Sequence, residues 1–352
     1  MQPFIYSAPA SRVIFGVNAL SHLEREVVQL GAERALVLCT REQRESAEQI
    51  AKILGSRAAG IYAEATMHVP IECARAARAE AERLGADCAI SIGGGSTTGL
   101  AKAIALESSL PIISIPTTYA GSEMTSIYGL TEGGVKRTGR DPRVLPRVVI
   151  YDPTLTTSMP IGLTAASGMN AIAHAAEGLY AQDANPVISL IAEEGIRAMA
   201  AGLRRVLREP DNLDVRSECL YGAWLCGIVL GSVGIALHHK LCHTIGGSFN
   251  LPHAETHTIV LPHSIAFNAP ATPDAMHRIA RALGSTSAAS GLFELVRALK
   301  LPHSLREIGF QPEDIDKAAG LAMRNPYWNP RPFSQQDIRE LLERAYVGDC
   351  PQ

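Results

Sequence analysis

The chain has 352 residues, 47% of them hydrophobic and 19% charged, with a formal net charge of −3. That length predicts two domains with sizeable cores, and the near-neutral balance excludes the basic footprint that nucleic-acid binding requires. Seven scattered cysteines without a C-x-x-C pair, no signal-peptide pattern and no apolar run of about 18 residues predict a cytoplasmic protein with free thiols and no membrane span.

The first half alternates strand and helix. Short apolar runs bounded by polar turns recur at 34–40, 58–65, 87–95, 111–118 and 147–153. Between the earlier ones lie the helical stretches EQRESAEQIAKILG and IECARAARAEAERLG, each closing on a glycine as a C-cap does. Alternation of this kind predicts a parallel sheet with right-handed crossovers.

The third of these units reads AISIGGGSTTGLAKAIAL, a buried strand, a glycine loop and a helix. Gly93, Gly94 and Gly95 let backbone approach a ligand closely, and the helix start offers N–H groups to an anion. A tight strand-to-helix turn explains the glycines equally well. A second polar loop, PTTYAGSEMTS at 116–126, also follows an apolar strand. Two polar loops at the carboxyl ends of parallel strands mark the place where a dinucleotide lies. The expected cofactor contacts are Thr40, Gly93, Gly94, Gly95, Ser96, Thr97, Thr117, Thr118 and Ser122.

After Asp152-Pro153 the texture changes to Ala- and Leu-rich helical periodicity without strand alternation. The reading is therefore an α/β dinucleotide-binding domain over 1–152 and an all-α domain over 153–352. The stretch SGMNAIAHAAEG (167–178) places Asn170 and His174 four residues apart on one helix face. Carboxylate and imidazole at that spacing make half a metal site, but here an Asn stands where a cation prefers an anion. Six of the eleven histidines fall between 238 and 263. His239 and His243 share a helix face, and IGGSFNLPH can turn the chain so that His253 returns toward them. Each histidine alone is an ordinary capping or surface residue; together they suit metal ligation or proton donation near neutrality.

These residues show a resemblance to the iron-containing (group III) alcohol dehydrogenases and, within them, to the maleylacetate reductases. It is carried by GGGSTTGLAK (93–102), PTTYAGSE (116–123), SGMNAIAHAAEG, the histidine block 238–263 and NPYWNPRP (325–332). The resemblance implies the dehydroquinate synthase-like fold: an N-terminal α/β nucleotide-binding domain, an all-α C-terminal domain and an active site in the cleft. It also implies a homodimer. Metal-dependent members hold their ion with one Asp and three His; by position these correspond to Asn170, His174, His239 and His253, and His243 to the proton-relaying histidine. The usual G-G-G-S-x-x-D-x-A-K pattern has Gly99 in place of its Asp. Both departures are features of maleylacetate reductases and imply that no metal is needed.

The implied activity is reduction of maleylacetate to 3-oxoadipate in aromatic-compound degradation, by hydride addition to the C=C bond conjugated to the ketone. The charge then spreads into an enolate, far less basic than an alkoxide, so hydrogen-bond donors can replace a Lewis acid. His243 and His253 are the expected oxyanion or proton donors, with His239 and His174 beside them. Asn170, Lys240, Tyr327 and Arg331 are the expected partners of a dicarboxylate substrate; members of the resembling family often accept chloro-substituted forms too, which these residues do not decide. Thr40 and Arg41 stand where NAD-selective folds carry an acid, which predicts use of both NADH and NADPH. Three alternatives stay open: a metal-dependent alcohol or glycerol dehydrogenase, a lyase on the same scaffold, and a non-enzymatic nucleotide-binding protein.

Overall fold

The apolar runs of the first half lie side by side in one sheet. In the computed structural model, which describes residues 4, 6, 11–133, 135–324 and 327–351, the strands are β1 (Arg12–Phe15), β2 (Ala35–Leu38), β3 (Ala58–Tyr62), β4 (Cys88–Gly93) and β5 (Ile112–Pro116), then β8 (Val148–Tyr151). All pair in parallel, in the order β1-β8-β5-β4-β2-β3. Strands β2, β4, β5 and β8 are buried along their whole length, as a sheet covered on both faces requires.

Alternate residues of each strand feed two cores. Val37, Ile90, Ile113 and Ile150 pack with α1 (Leu23–Gln29) and α2 (Arg44–Leu54) on one face. Leu36, Ala89 and Ile112 pack with α3 (Ile71–Arg83) and α4 (Gly95–Ser108) on the other. Gly55 and Gly85 close α2 and α3 at positive φ, 56° and 58°, a region that favours the glycines expected there. Two elements go beyond the sequence expectation. One is β1, whose partner β8 follows 136 residues later, Arg12 pairing with Val148. The other is the antiparallel hairpin β6 (Ile127–Glu132) and β7 (Val135–Arg140).

The chain divides between Met159 and Pro160. The second unit contains α5 (Ile161–Gly178), α6 (Pro186–Val206), α7 (Leu213–Ser232), α8 (Leu237–Phe249), α9 (His253–Asn268), α10 (Pro273–Leu283), α11 (Ala288–Ala298), α12 (Ile315–Ala322) and α13 (Gln335–Val347), and no strand among the described residues. Helix α5 is buried from Thr164 to Gly178 because α6, α7 and α9 pack around it. Small residues allow this: a Cβ on Gly168 would lie 2.7 Å from Leu203, and one on Gly222 of α7 2.6 Å from the backbone of Met199 in α6. Among the described residues no single helix is long and apolar enough to cross a membrane. None of the seven cysteines is in a disulfide.

Candidate active site

The glycine loop is shaped by what presses on it. Gly93 has φ +142°, and a Cβ there would lie 2.4 Å from the Gln43 side chain and 2.7 Å from Thr97 Oγ1. A Cβ on Gly94 would come within 2.9 Å of Thr118 Oγ1, so both positions demand glycine. Gly95 is open, with its nearest Cβ neighbour at 3.7 Å. No side chain caps the start of α4, which leaves its first N–H groups to an anion; a nucleotide phosphate fits this cradle. Thr97 gives its hydroxyl to the Gly94 carbonyl (2.9 Å) and Thr117 accepts from Gln43 Nε2 (2.9 Å). Ser96 and Thr118 are half-buried. Gly99 is also explained by packing: a Cβ there would meet Val69 at 2.8 Å.

Lys102, the one charge between Gly95 and Leu106, is fully buried. Its ammonium donates to the carbonyls of Ser122, Thr125 and Ile127 and to Thr125 Oγ1 at 2.7–2.9 Å. It thereby ties α4 to the second polar loop and sets the position of Ser122. Lys102→Met removes the donor from all four oxygens. It should cost on the order of 3–5 kcal/mol, read as a fall in the thermal midpoint together with a raised nucleotide KM. An unchanged midpoint contradicts this role. Arg41 is exposed and paired with Glu64, its Nε 2.9 Å from Oε2, and the Thr40 hydroxyl binds the carboxylate of Glu42.

In the second unit the predicted residues do gather. Asn170, His174 and His239 are buried, and His174 and His239 lie with ring centroids 4.9 Å apart. Helix α8 ends at Asn250, held in the left-handed conformation at φ 52°, and α9 starts at His253. This reversal stacks the exposed rings of His243 and His253, 6.1 Å apart. His257, fully buried, lies under both, 4.4 Å from His253 and 6.0 Å from His243. Burial first, and then the neighbouring histidines, hold His174, His238 and His257 well below the usual imidazole range, so these three are neutral at pH 7.

One residue the sequence reading passed over organises the cluster. Glu177, seven positions after Asn170 on the same face of α5, is fully buried. Its carboxylate accepts from the backbone N–H groups of Ala236 (3.1 Å) and His238 (2.8 Å) and from His239 Nδ1 (2.6 Å). Helix α8 has no local side-chain cap; Glu177 caps it from a distance of 59 residues. The same contact fixes the ring of His239. Its Nδ1 carries the proton given to Glu177, and its Nε2, buried and unpartnered, presents a lone pair.

Asn170 Oδ1, His174 Nδ1 and His239 Nε2 are buried polar atoms without partners. They belong to three of the four positions that hold the ion in metal-dependent relatives, but none is a carboxylate, and the nearby carboxylate of Glu177 is already occupied. His238, His239 and His257 offer ring nitrogens within 4.8 Å of one another, yet His238 Nε2 and His257 Nδ1 are bonded to each other at 3.0 Å. A tightly held dication does not fit this set.

Lys240 and Tyr327 come together, the ammonium 5.4 Å from the ring centroid, and the Tyr327 hydroxyl is buried without a partner. Burial, then the charge of Glu177, pushes that hydroxyl's pKa up, so it stays a donor. Arg331 has a different engagement. Its guanidinium sits 4.1 Å over Phe267 and donates to the Phe267 carbonyl (2.8 Å). Asn329 bonds both Asn268 and the Arg331 carbonyl, so these residues anchor the loop that carries Tyr327. Arg324 is exposed, and Asn325 and Pro326 of the NPYWNPRP stretch lie outside the described residues.

Comparison with known proteins places both units. The sequence pattern described as iron-containing alcohol dehydrogenase matches residues 10–153, and that of the Fe-containing alcohol dehydrogenase family, C-terminal, matches 164–346. The chain is 62% identical over 351 residues to a maleylacetate reductase from Burkholderia cepacia, covering 100% of both. The crystal structure of maleylacetate reductase from Agrobacterium tumefaciens is 50% identical with a TM-score of 0.98, and that from Rhizobium sp. strain MTP-10005 51% identical with a TM-score of 0.97; each covers 100% of both chains.

Proposed function

Because the chain belongs to the iron-containing alcohol dehydrogenase family, we propose that it is an NAD(P)H-dependent reductase of maleylacetate, forming 3-oxoadipate without a metal. The observation that carries this reading is the site itself: a buried histidine and amide cluster with the family's ligand positions and no free carboxylate, in a chain 62% identical to a maleylacetate reductase. When bound, the reduced nicotinamide supplies a hydride, which the conjugated double bond accepts at C2 of the substrate.

The chain's own groups do the rest. Lys240 and the Tyr327 hydroxyl bind a carboxylate, with Arg331 holding the Tyr327 loop in place. Asn170 and His174 form a polar wall beside the ketone. Buried His239, whose Nε2 is a lone pair, does not donate in its neutral form. Proton delivery to C3 therefore falls to His243 or His253, whose exposed rings regain a proton from solvent. The enolate formed on the way is stabilised by fixed hydrogen-bond donors.

The reading also assigns nucleotide binding to 1–152 and catalysis to 153–352, a cytoplasmic location and a homodimer. The exposed, Glu64-paired Arg41 leaves both NADH and NADPH usable. The test is NADH and NADPH oxidation on adding maleylacetate to enzyme stripped with a chelator. Turnover with both nucleotides, at a rate untouched by chelation, is expected. Activity lost on chelation and restored by iron or zinc favours the metal-dependent alternative instead.

A further inference from the structure

His238 and His257 have no part in the ligand or relay positions carried by the resemblance, yet they are the most deeply placed histidines of the cluster, both fully buried. Their rings are bonded, His238 Nε2 to His257 Nδ1, at 3.0 Å. The chain continues inward: Ser264 Oγ lies 3.2 Å from His238 Nδ1, and the thiol of Cys242 lies 3.8 Å from the same nitrogen. At the other end, His257 Nε2 is buried and unpartnered. The His257 ring lies 4.9 Å from His239 and 4.4 Å from His253.

We propose that His257 is a further catalytic residue, donating its Nε2–H to the enolate oxygen, and that His238 and Ser264 are positioning residues that put the proton on that nitrogen. This rests on the maleylacetate reading of the same site. With the Ser264 hydroxyl and the Cys242 thiol, which also face the carbonyls of Leu261 and Thr256, turned toward His238 Nδ1, that nitrogen is the acceptor. The proton of His238 is then on Nε2, where it is given to His257 Nδ1. A neutral His257 that accepts at Nδ1 carries its proton on Nε2, aimed at the cluster.

The chemistry favours the same order. The substrate is a dianion whose ketone gains charge on reduction, and every oxygen it presents is an acceptor. A bare lone pair at His257 Nε2 would repel it, whereas an N–H stabilises the developing charge. His239 has the opposite polarity, because Glu177 takes its Nδ1 proton and leaves a lone pair at Nε2. Two adjacent imidazoles thus have opposite roles, each set by the partner behind it. A neutral imidazole held by its surroundings is a competent electrophile toward an enolate.

Three measurements test this. His257→Leu should lower kcat roughly 100-fold, the effect of deleting one oxyanion donor, and His257→Gln, which keeps an N–H near the same place, should recover at least about tenfold of it. In the wild-type enzyme bound to 3-oxoadipate, ¹⁵N shifts of labelled histidine should report His257 protonated at Nε2 and bare at Nδ1. In His238→Leu that preference should be lost, with kcat reduced and KM for NADH unchanged. A bare Nε2 in the wild-type complex, or wild-type kcat in His257→Leu, overturns the proposal. A wild-type enzyme that fails to oxidise NADH with maleylacetate overturns the functional reading instead, and is seen before any variant is made.

Discussion

Stability should fall steeply as the pH drops below 6.5. His174, His238 and His257 are held well below their ordinary value, and His263 is pushed down to about 4 by burial and then by the charge of Arg344. In the unfolded chain each titrates near 6.5. Below that pH the unfolded state binds protons that the native state refuses, so stability is fully present above 6.5 and is lost as the pH falls toward the folded values. Each such group contributes about 1.4 kcal/mol per pH unit within its window. Four together give a slope on the order of 5 kcal/mol per unit, comparable with the whole stability of many domains.

Urea unfolding at a series of pH values between about 7.5 and 5.5 reads this slope directly. His263 isolates one contribution, since both its ring nitrogens are buried without partners and it lies outside the catalytic cluster. His263→Leu should reduce the slope by roughly a quarter at no cost in stability near pH 7.5. A slope near 1 kcal/mol per unit, or an unchanged slope in His263→Leu, contradicts the neutral-histidine account.

The second large effect is expected at Glu177. Substitution by Gln preserves shape but leaves one oxygen where there were two. If that oxygen serves Ala236 N–H and His239 Nδ1, the new NH₂ faces the His238 N–H, donor against donor. If the amide is turned, His239 must move its proton to Nε2 and the Ala236 N–H is orphaned. Either arrangement leaves a buried N–H unpaired at the start of α8, at a cost of about 2–4 kcal/mol. The catalytic consequence follows from the same geometry. His239 either loses its fixed orientation or turns a donor into the site, so kcat should fall roughly 100-fold. Steady-state kinetics and the thermal midpoint should move together, and a double-mutant cycle with His239→Asn should show coupling above about 0.5 kcal/mol. Wild-type kcat in Glu177→Gln is incompatible with the proposed site.

Local pattern made much of this molecule readable in advance. The parallel sheet, its glycine-capped helices and the all-helical second half follow from periodicity and turn residues, which act over short stretches. The return of His253 toward His243 was visible because IGGSFNLPH spans one reversal between adjacent helices. What pattern does not reveal is pairing at long range. Strand β1 is four ordinary apolar-rich residues, and only its register with Val148–Tyr151 makes it a sheet edge. Glu177 reads as one charge in an alanine-rich helix until α8 is placed on it, and Lys102 as a helix lysine until four oxygens surround it. A charge within an otherwise apolar helix face was the available signal in both. Arg331 shows the converse: a cation near a site suggested a substrate partner, and an aromatic ring 64 residues away engages it first.

Where the hydride goes, and whether a metal is needed to send it there, distinguish this chemistry from that of a metal-dependent alcohol dehydrogenase. Enzyme dialysed against a chelator, supplied with maleylacetate and NADH deuterated at the transferred position, should yield 3-oxoadipate carrying deuterium at the carbon that was C2. Recovery of a 4-hydroxy acid with deuterium at the former ketone carbon, or no product until iron or zinc is restored, would contradict it.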